Sequence, residues 1–479
     1  MTTTPAPRPA ALDPLDHGLL DRASGVLLAQ AAGDALGVPY EFAQPPGPGH
    51  RDEVAVMRGG GLGPYAPGEW SDDTQMSVCV ARVTAAHDVL SPVPDAFGAT
   101  PLDDVAAAFE AWRTGGASDV GTQTAAVLRD AAARRGPAAT RLREASAALH
   151  AATGRTAGNG ALMRTGVVGL VALGDRDATA RAARAVAEIT HTDPLAAESC
   201  VLWSEAVRVA VTEQRLDVRA GLDLLDAEAA ARWSAWVADA ESARPEADLR
   251  QNGFTVTALQ AAWRAIATTS PPERSRFAGR DHLVAALQAA VAVGGDTDTV
   301  AAIAGALLGA RYGARAVPEE WSAAVHGWPG IGRRVLTALA RRTAQGGLVR
   351  SEALVLPDGD ARPVQHCPLC GTLLRENPRY PRHVCGWCGQ DVTDEAGRPV
   401  VLANASLTGG YTAQRPDGSP ASSEVLAGRV WIDGVALRAQ EARFGGVVVP
   451  PPPRPRRERR GRGRPGPARG RRAGGGGGA

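Results

Sequence analysis

The stretch "GGDTDTVAAIAGALLGARYG" (residues 294–313) decides how this chain is read, because it sets two aspartates and two threonines directly before an apolar run. Val300, Ile303, Ala304, Leu307 and Leu308 recur at the spacing of one buried helical face, so the acidic tetrad is the first turn of a helix. One Asp there would be an ordinary cap, accepting from free N–H groups at the positive end of the helix dipole. Two Asp at i and i+2, each followed by Thr, carry more oxygen than capping requires and suit a hard cation as well. On this stretch alone, cap and metal site stand side by side. Ala301, Gly305 and Gly309 lie four apart, so a second backbone can pack closely on that stripe. The run falls short of the ~20 apolar residues of a membrane span, so a buried helix of a soluble protein is expected.

The 479 residues allow a large core and more than one domain, and 44% hydrophobic with 22% charged residues is ordinary for a soluble chain. The formal net charge of +1 hides an asymmetry: residues 451–479 hold ten Arg and one Glu, which leaves −8 for the rest. All 52 basic residues are arginine, which excludes a lysine nucleophile or Schiff base. The opening "MTTTPAPRPAALDP" lacks a signal-peptide pattern and no membrane span is expected, so a cytoplasmic location is the default expectation. Of six cysteines, Cys79 and Cys200 sit in apolar contexts and read as core residues; the other four form two C-x-x-C pairs, which point to metal.

Along the chain, a Pro-rich start (1–18) is expected to be disordered and 19–345 to be one compact all-α domain. Helical spacing recurs over 21–36, 74–90, 103–112, 122–134, 162–173, 177–189, 195–212, 255–268, 281–292 and 299–312. A linker (346–365) then leads to a small zinc-ribbon and β-rich module (366–449), with short strand-like runs such as "RVWIDGVAL" and "FGGVVV" between "PDG" and "DG" turn signals. The Arg/Gly/Pro-rich tail (450–479) cannot bury a core and is expected to be disordered.

A second oxygen-rich helix start, "SDDT" (71–74) in "GEWSDDTQMSVCVARVT", mirrors the first. Two such turns converging on one site would supply four carboxylates and hydroxyls, enough for one or two Mg²⁺ or Mn²⁺ ions. Between them, the Gly-rich "GRTAGNGALMRTG" (154–166) could let backbone N–H groups approach phosphate oxygens, or be a plain turn. In "AAGDALGVPYEF" (31–42) a helix ends at Gly33 or Gly37 and Glu41 follows in an extended stretch, where it could bind or deprotonate water or merely face solvent.

GDALG (33–37), SDDTQM (71–76), GNGALMR (158–164), THTDP (190–194) and GGDTDTVA (294–301), in this order, resemble the ADP-ribosylglycohydrolase family over roughly residues 20–345. The resemblance implies a compact all-α domain with a binuclear Mg²⁺ or Mn²⁺ centre at a cleft that holds ADP-ribose, and cleavage of the bond from ribose C1″ to an acceptor. It makes Ser71, Asp72, Asp73, Asp296, Asp298 and Thr299 metal ligands, with Ser71 where Thr is frequent. It places Gly158, Asn159 and Gly160 along the diphosphate or ribose and His191 along the cleft. His191 read alone is as well a hydrogen-bonded histidine at a helix start. Glu41 matches the glutamate that guards the metal or its water. "SDVGTQTAAVL" (118–128) resembles a segment of arginine-directed bacterial members, which makes Asp119 a candidate acid or base; Thr122 replaces the frequent Asn, and Asp119 read alone is as well a loop or cap residue.

The implied activity is a metal-dependent hydrolase that removes ADP-ribose from a modified protein or another ADP-ribosylated acceptor, arginine favoured slightly. The alternatives are an ADP-ribose-binding protein and a nucleic-acid-associated adaptor with little hydrolysis. Cys367, Cys370, Cys385 and Cys388 follow C-x₂-C-x₁₄-C-x₂-C, the spacing of a closed structural Zn²⁺ site, with His366 and His383 beside it. The basic tail is suited to nucleic acid or another polyanion by charge alone, or to staying a solvated tail. No membrane partner is expected.

Overall fold

The computed structural model describes residue 13 and residues 15–450, apart from 48–52, 96–97, 271–274, 347–352, 356–360, 407–408 and 443–446. Most of the expected disordered start and the whole 451–479 tail lie outside the described residues. The chain divides into two compact units after Gln390.

The first unit is helical. Its helices are α1 (His17–Gly37), α2 (Asp72–Thr84), α3 (Pro101–Gly115), α4 (Thr122–Ala131), α5 (Ala138–Thr153), α6 (Arg176–Ala187), α7 (Pro194–Glu213), α8 (Ala227–Glu241), α9 (Thr255–Ala267), α10 (Ala278–Ala292), α11 (Thr297–Tyr312), α12 (Glu319–Ala324) and α13 (Arg333–Ala344). Two-residue strands β1 (His326–Gly327) and β2 (Ile331–Gly332) pair between α12 and α13. Beyond α13, β3 (Ala353–Val355), β4 (Ala361–His366) and β5 (Leu373–Arg375) form an antiparallel sheet in the order β3-β4-β5.

α1 and α11 form the centre, buried along nearly their whole lengths. The small-residue stripe of α11 meets a matching one on α1, in antiparallel register. A Cβ on Gly309 would strike the carbonyl of Gly25, one on Gly305 that of Ala29, one on Gly33 that of Ala301, and one on Gly37 the Cα of Asp298. Only glycine permits backbones this close. The register carries the C-terminal end of α1 to the N-terminal turn of α11. Thr297 Oγ1 fastens that end by donating to the Gly37 carbonyl (2.8 Å).

Four helices of this unit, α5, α8, α12 and α13, lie outside the segments expected to be helical. The inward stripe of α5 is mainly alanine, with Leu142 its one large residue; α8 buries Ala229, Trp233, Val237 and Ala240, and α13 a broader face that includes Leu336, Leu339 and Arg341. The helix expected over 74–90 ends at Thr84, and the one over 162–173 is instead turns around the short 3₁₀ segment Gly166–Leu170. There, Gly169 lies where a Cβ would be 2.6 Å from the Ser204 carbonyl, and Gly166 where one would be 2.7 Å from Ala306 Cβ. Tight packing against α7 and α11 replaces a regular helix.

The second unit holds β6 (Val401–Ser406), β7 (Gly409–Gln414), the short α14 (Ser423–Leu426), β8 (Arg429–Ile432), β9 (Val435–Arg438), β10 (Gln440–Glu441) and β11 (Val447–Val448), paired as β6–β7, β8–β9 and β10–β11. The expected "DG" turn joins β8 to β9, with positive φ at both Asp433 (49°) and Gly434 (72°), as a two-residue hairpin turn of this hand requires. The cysteine hairpin is part of the first unit, so the compact boundary falls after Gln390 and not at the expected 365/366. Among the described residues no helix is long and apolar enough to cross a membrane.

Candidate functional site

Four segments converge at the joined ends of α1 and α11. Gly294 and Gly295 turn into α11 with φ of 80° and 78°, and a Cβ on Gly295 would lie 2.5 Å from Asn252 Oδ1. Asn252, fully buried, locks this turn: its Oδ1 accepts from Asp296 N (2.8 Å) and its Nδ2 donates to the Gly294 carbonyl (2.9 Å). Asn159 Nδ2 donates to Asp296 Oδ2 (2.7 Å) and to the Asn252 carbonyl (2.9 Å), which ties the 158–160 loop to the acidic turn.

The second acidic turn hangs on Asp34, a fully buried carboxylate on α1. Its Oδ1 accepts from Ser71 N and Ser71 Oγ (both 2.8 Å), and its Oδ2 from Thr74 N (3.0 Å) and Thr74 Oγ1 (2.6 Å). Asp34 thus caps α2 from another helix. Ser71 Oγ is also 3.0 Å from Asp73 Oδ2. Asp73 Oδ1 is buried with no hydrogen-bond partner. Such an oxygen is costly unless a proton or a cation meets it.

The carboxylates crowd together. Oxygens of Asp34, Asp73 and Asp298 lie within 4.8 Å of one another, as do those of Glu41, Asp296 and Asp298, so the two sets share Asp298. Burial pushes Asp34 up to about 6 against the hydrogen bonds from Ser71 and Thr74. Burial, then Asp296, Asp119 and Asp34, push Glu41 to about 8. Asp72, Asp73 and Asp298 are raised well above the usual carboxylate range by burial first, and then by the nearest carboxylates: Asp119 and Asp296 for Asp72, Asp34 and Asp72 for Asp73, Asp73 and Asp296 for Asp298. A set of acids held together with an orphaned oxygen fits divalent cations, and their hard oxygen donors suit Mg²⁺ or Mn²⁺. Asp72 is half-buried and responds to Asp119, Asp296, Asp34 and Glu41; Thr299 is buried, with its hydroxyl toward Asp73.

Asp119 stands on a separate loop at this cluster and accepts from Val120 N (2.7 Å). Its loop is braced by α2: Gln75 Nε2 donates to Ser118 Oγ (3.1 Å), Ser118 Oγ to Tyr65 Oη (2.8 Å), and Trp112 Nε1 to Gln75 Oε1 (2.7 Å). His191 is buried beneath Gly158 and Gly160, where their Cβ atoms would lie 3.2–3.4 Å from its ring. Burial and then the Arg164 charge hold it well below the usual histidine range, so it stays neutral and props the loop. Gln123 completes that support, donating to the carbonyls of Thr156 (2.8 Å) and Thr190 (3.3 Å).

Several of these supports escaped sequence reasoning. Asp34 lies inside the GDALG motif, and its signal in the sequence is an acid within the apolar second half of α1. Asn252 and Gln123 carry no local signal, because their partners are distant in sequence.

At the other end of α1, the sulfurs of Cys367, Cys370, Cys385 and Cys388 also lie within 4.8 Å of one another, and all four residues are buried. Cys370 to Cys385 is 3.6 Å and Cys367 to Cys388 is 3.9 Å. Four thiolates at the Zn–S distance of about 2.3 Å form a tetrahedron with edges of about 3.8 Å. Cys385 N donates to Cys367 Sγ (3.3 Å) and Cys388 N to Cys385 Sγ (3.4 Å). His366 Nδ1 faces the Gly371 carbonyl (3.2 Å) and His383 Nδ1 faces Gln365 (2.7 Å), so neither ring points these nitrogens at the sulfurs.

Comparison with known proteins gives the family. The family model described as ADP-ribosylglycohydrolase matches residues 15–353. The chain is 27% identical over 304 residues to the ADP-ribosylarginine hydrolase Tri1 of Pseudomonas putida (strain GB-1), covering 63% of this chain and 73% of the relative. It is 29% identical over 313 residues to the ADP-ribosyl-[dinitrogen reductase] glycohydrolase of Rhodospirillum rubrum, covering 63% and 89%. A solved structure titled "ADP-ribosylglycohydrolase-related protein complex" superposes with a TM-score of 0.51 at 28% identity, over 69% of this chain and 99% of that one. With the match spanning most of its length and the whole acidic cluster, the chain belongs to the ADP-ribosylglycohydrolase family, hydrolases that act on glycosidic bonds.

Proposed function

We propose that this protein removes ADP-ribose from a modified protein side chain by hydrolysing the glycosidic bond at C1″, arginine being the favoured acceptor. The observation that carries the reading is the meeting of Asp34, Asp73 and Asp298 with Glu41 and Asp296 around an orphaned Asp73 oxygen. The names of the relatives support ADP-ribosyl removal and, at under 30% identity, suggest arginine. They name no nucleic acid.

Ser71, Asp72, Asp73, Asp296, Asp298 and Thr299 would hold two Mg²⁺ or Mn²⁺ ions. Bound there, the ions supply positive charge that fixes sugar hydroxyls and lowers the pKa of water. The chain's own groups do the rest. Ser71 Oγ, hydrogen-bonded to Asp34, would keep a lone pair to offer an ion. Glu41, pushed to about 8, can hold or take up a proton near neutral pH at the edge of the cluster. Asp119, on its braced loop, would serve the leaving group. Asn159 orients Asp296, and the Gly158–Gly160 backbone leaves room for the sugar and diphosphate. Carboxylates facing the anomeric carbon favour the positive charge that develops as the bond breaks.

The four cysteines would hold one structural Zn²⁺, with no ligand position left for catalysis. The deciding experiment offers ADP-ribosylated arginine, serine and DNA with Mg²⁺ or Mn²⁺ to the parent and to Asp296→Asn. Release of ADP-ribose from arginine, lost in the variant, is expected. Binding without release from any substrate would leave an ADP-ribose-binding protein, and full activity of Asp296→Asn would remove the metal assignment.

A further inference from the structure

We propose that the four-cysteine hairpin is a metal-loaded clasp of the catalytic unit, which ties the start of α1 to the end of α13 through Arg341. The inference rests on the reading that these cysteines hold zinc. The hairpin lies past residue 353, where the family match ends, so the clasp is an addition to the family domain.

A continuous polar path leads from a metal ligand into the helices. Thr372 Oγ1 is 3.1 Å from Cys370 Sγ, to which its hydroxyl donates once that sulfur is a thiolate. Thr372 Oγ1 accepts from Arg341 Nε (3.3 Å), and Arg341 Nη1 donates to Ser24 Oγ on α1 (3.0 Å). Ser24 Oγ in turn donates to the Leu20 carbonyl (2.7 Å). Arg341, only 1% exposed, also lays its guanidinium over Trp387, 4.5 Å from the ring centroid. His17, the first residue of α1, packs against Trp387 at 5.1 Å. A charge this deeply buried needs compensation, and a zinc–tetrathiolate centre carries a net charge of about −2.

Apolar and backbone contacts follow the same seam. Leu15, Val364 and Leu373 form a small separate core under the hairpin. Gln345, just past α13, pairs with the Leu373 backbone as a strand would, donating to its carbonyl (3.1 Å) and accepting from its N–H (3.0 Å). Thr372 and Leu373 lie between the cysteine pairs and Trp387 within the second pair, so the metal that closes the hairpin sets the clasp. α1 carries the effect inward. At 1.5 Å per residue, Asp34 lies about 26 Å along the helix from His17, and the close glycine register with α11 leaves little room for α1 to shift.

The test uses the full chain with saturating Mg²⁺ throughout, so that the acidic site stays filled. Zinc content is measured beside amide exchange over residues 17–34 and 333–345, for the parent, Cys385→Ser/Cys388→Ser and Arg341→Gln. The expected result is one zinc per parent chain. The cysteine variant should lose it, and exchange should rise about tenfold in both segments. Arg341→Gln should keep zinc yet exchange faster in the first turns of α1. If the cysteine variant does not fold, Arg341→Gln carries the test. A parent chain that neither contains nor takes up zinc would remove the ligand reading. Zinc loss, or Arg341→Gln, with exchange unchanged in both segments would remove the clasp and leave the zinc site standing.

Discussion

Asp34 accepts both the backbone N–H and the hydroxyl of Ser71 at 2.8 Å, so a carboxylate near the C-terminal end of α1 sets the first turn of α2. Asp34 sits in the last turn of α1, the two residues are far apart in sequence, and the acidic site depends on their meeting. Asp34→Asn keeps the size but presents an amide N–H₂ to donors. Mn²⁺ affinity measured by calorimetric titration should fall about 10–100-fold, with the helical circular dichroism retained. Unchanged affinity would show that Asp34 only packs.

The α1–α11 register predicts a stability effect away from the chemistry. Gly305→Ala would drive a methyl into the Ala29 carbonyl, with backbone on both sides and no flexible side chain to yield. Overpacking of this kind costs about 1–3 kcal/mol or more, and thermal unfolding should report it as a lower midpoint. A midpoint equal to the parent's would mean that the helices separate freely.

Loss of chemistry and loss of metal should be separable. Asp119→Asn should lower the turnover of ADP-ribosylated arginine about 10²–10⁴-fold while leaving Mn²⁺ affinity near the parent's, because Asp119 stands on its own loop, outside the two oxygen-rich turns proposed to hold the ions. Asp298→Asn, common to both carboxylate sets, should reduce affinity and turnover together. Equal loss of Mn²⁺ affinity in the two variants would place Asp119 among the ligands.

The raised carboxylates predict how stability changes with pH. Asp34 at about 6 and Glu41 at about 8 hold protons in the folded, metal-free chain that the unfolded chain gives up near pH 4. Metal-free stability should therefore be greatest below about pH 4 as far as these groups are concerned, and should decline as pH rises toward about 8. Divalent cations replace the protons. Mg²⁺ should raise the melting midpoint more at about pH 8 than at about pH 5.5, with protons released on binding. A metal-induced shift that is the same at both pH values would contradict this linkage.

Much of the site was legible because its groups are local. "GGDTDT" and "SDDT" each place oxygen at a helix start, and the i, i+4 glycines of α11 foretell a close neighbour. The helix missed at α5 and the false one over 162–173 have one cause. Alanine and glycine carry little periodic signal, and burial against a neighbour decides their conformation. Thr297 shows the same limit. Next to Asp296 and Asp298 it reads as a spacer, and it proves to fasten α11 to the Gly37 carbonyl.

By itself the sequence determined the all-α character of the main domain, the oxygen-rich turns and the two cysteine pairs, because each rests on residue type and spacing within one segment. Tertiary structure alone decided which turns share a site, that Asp34 holds one of them, that His191 lies beneath the glycine loop, and that the cysteine hairpin belongs to the helical unit. Each of these is a meeting between distant segments, decided by which backbones the glycines allow to touch and which buried polar groups must find a partner.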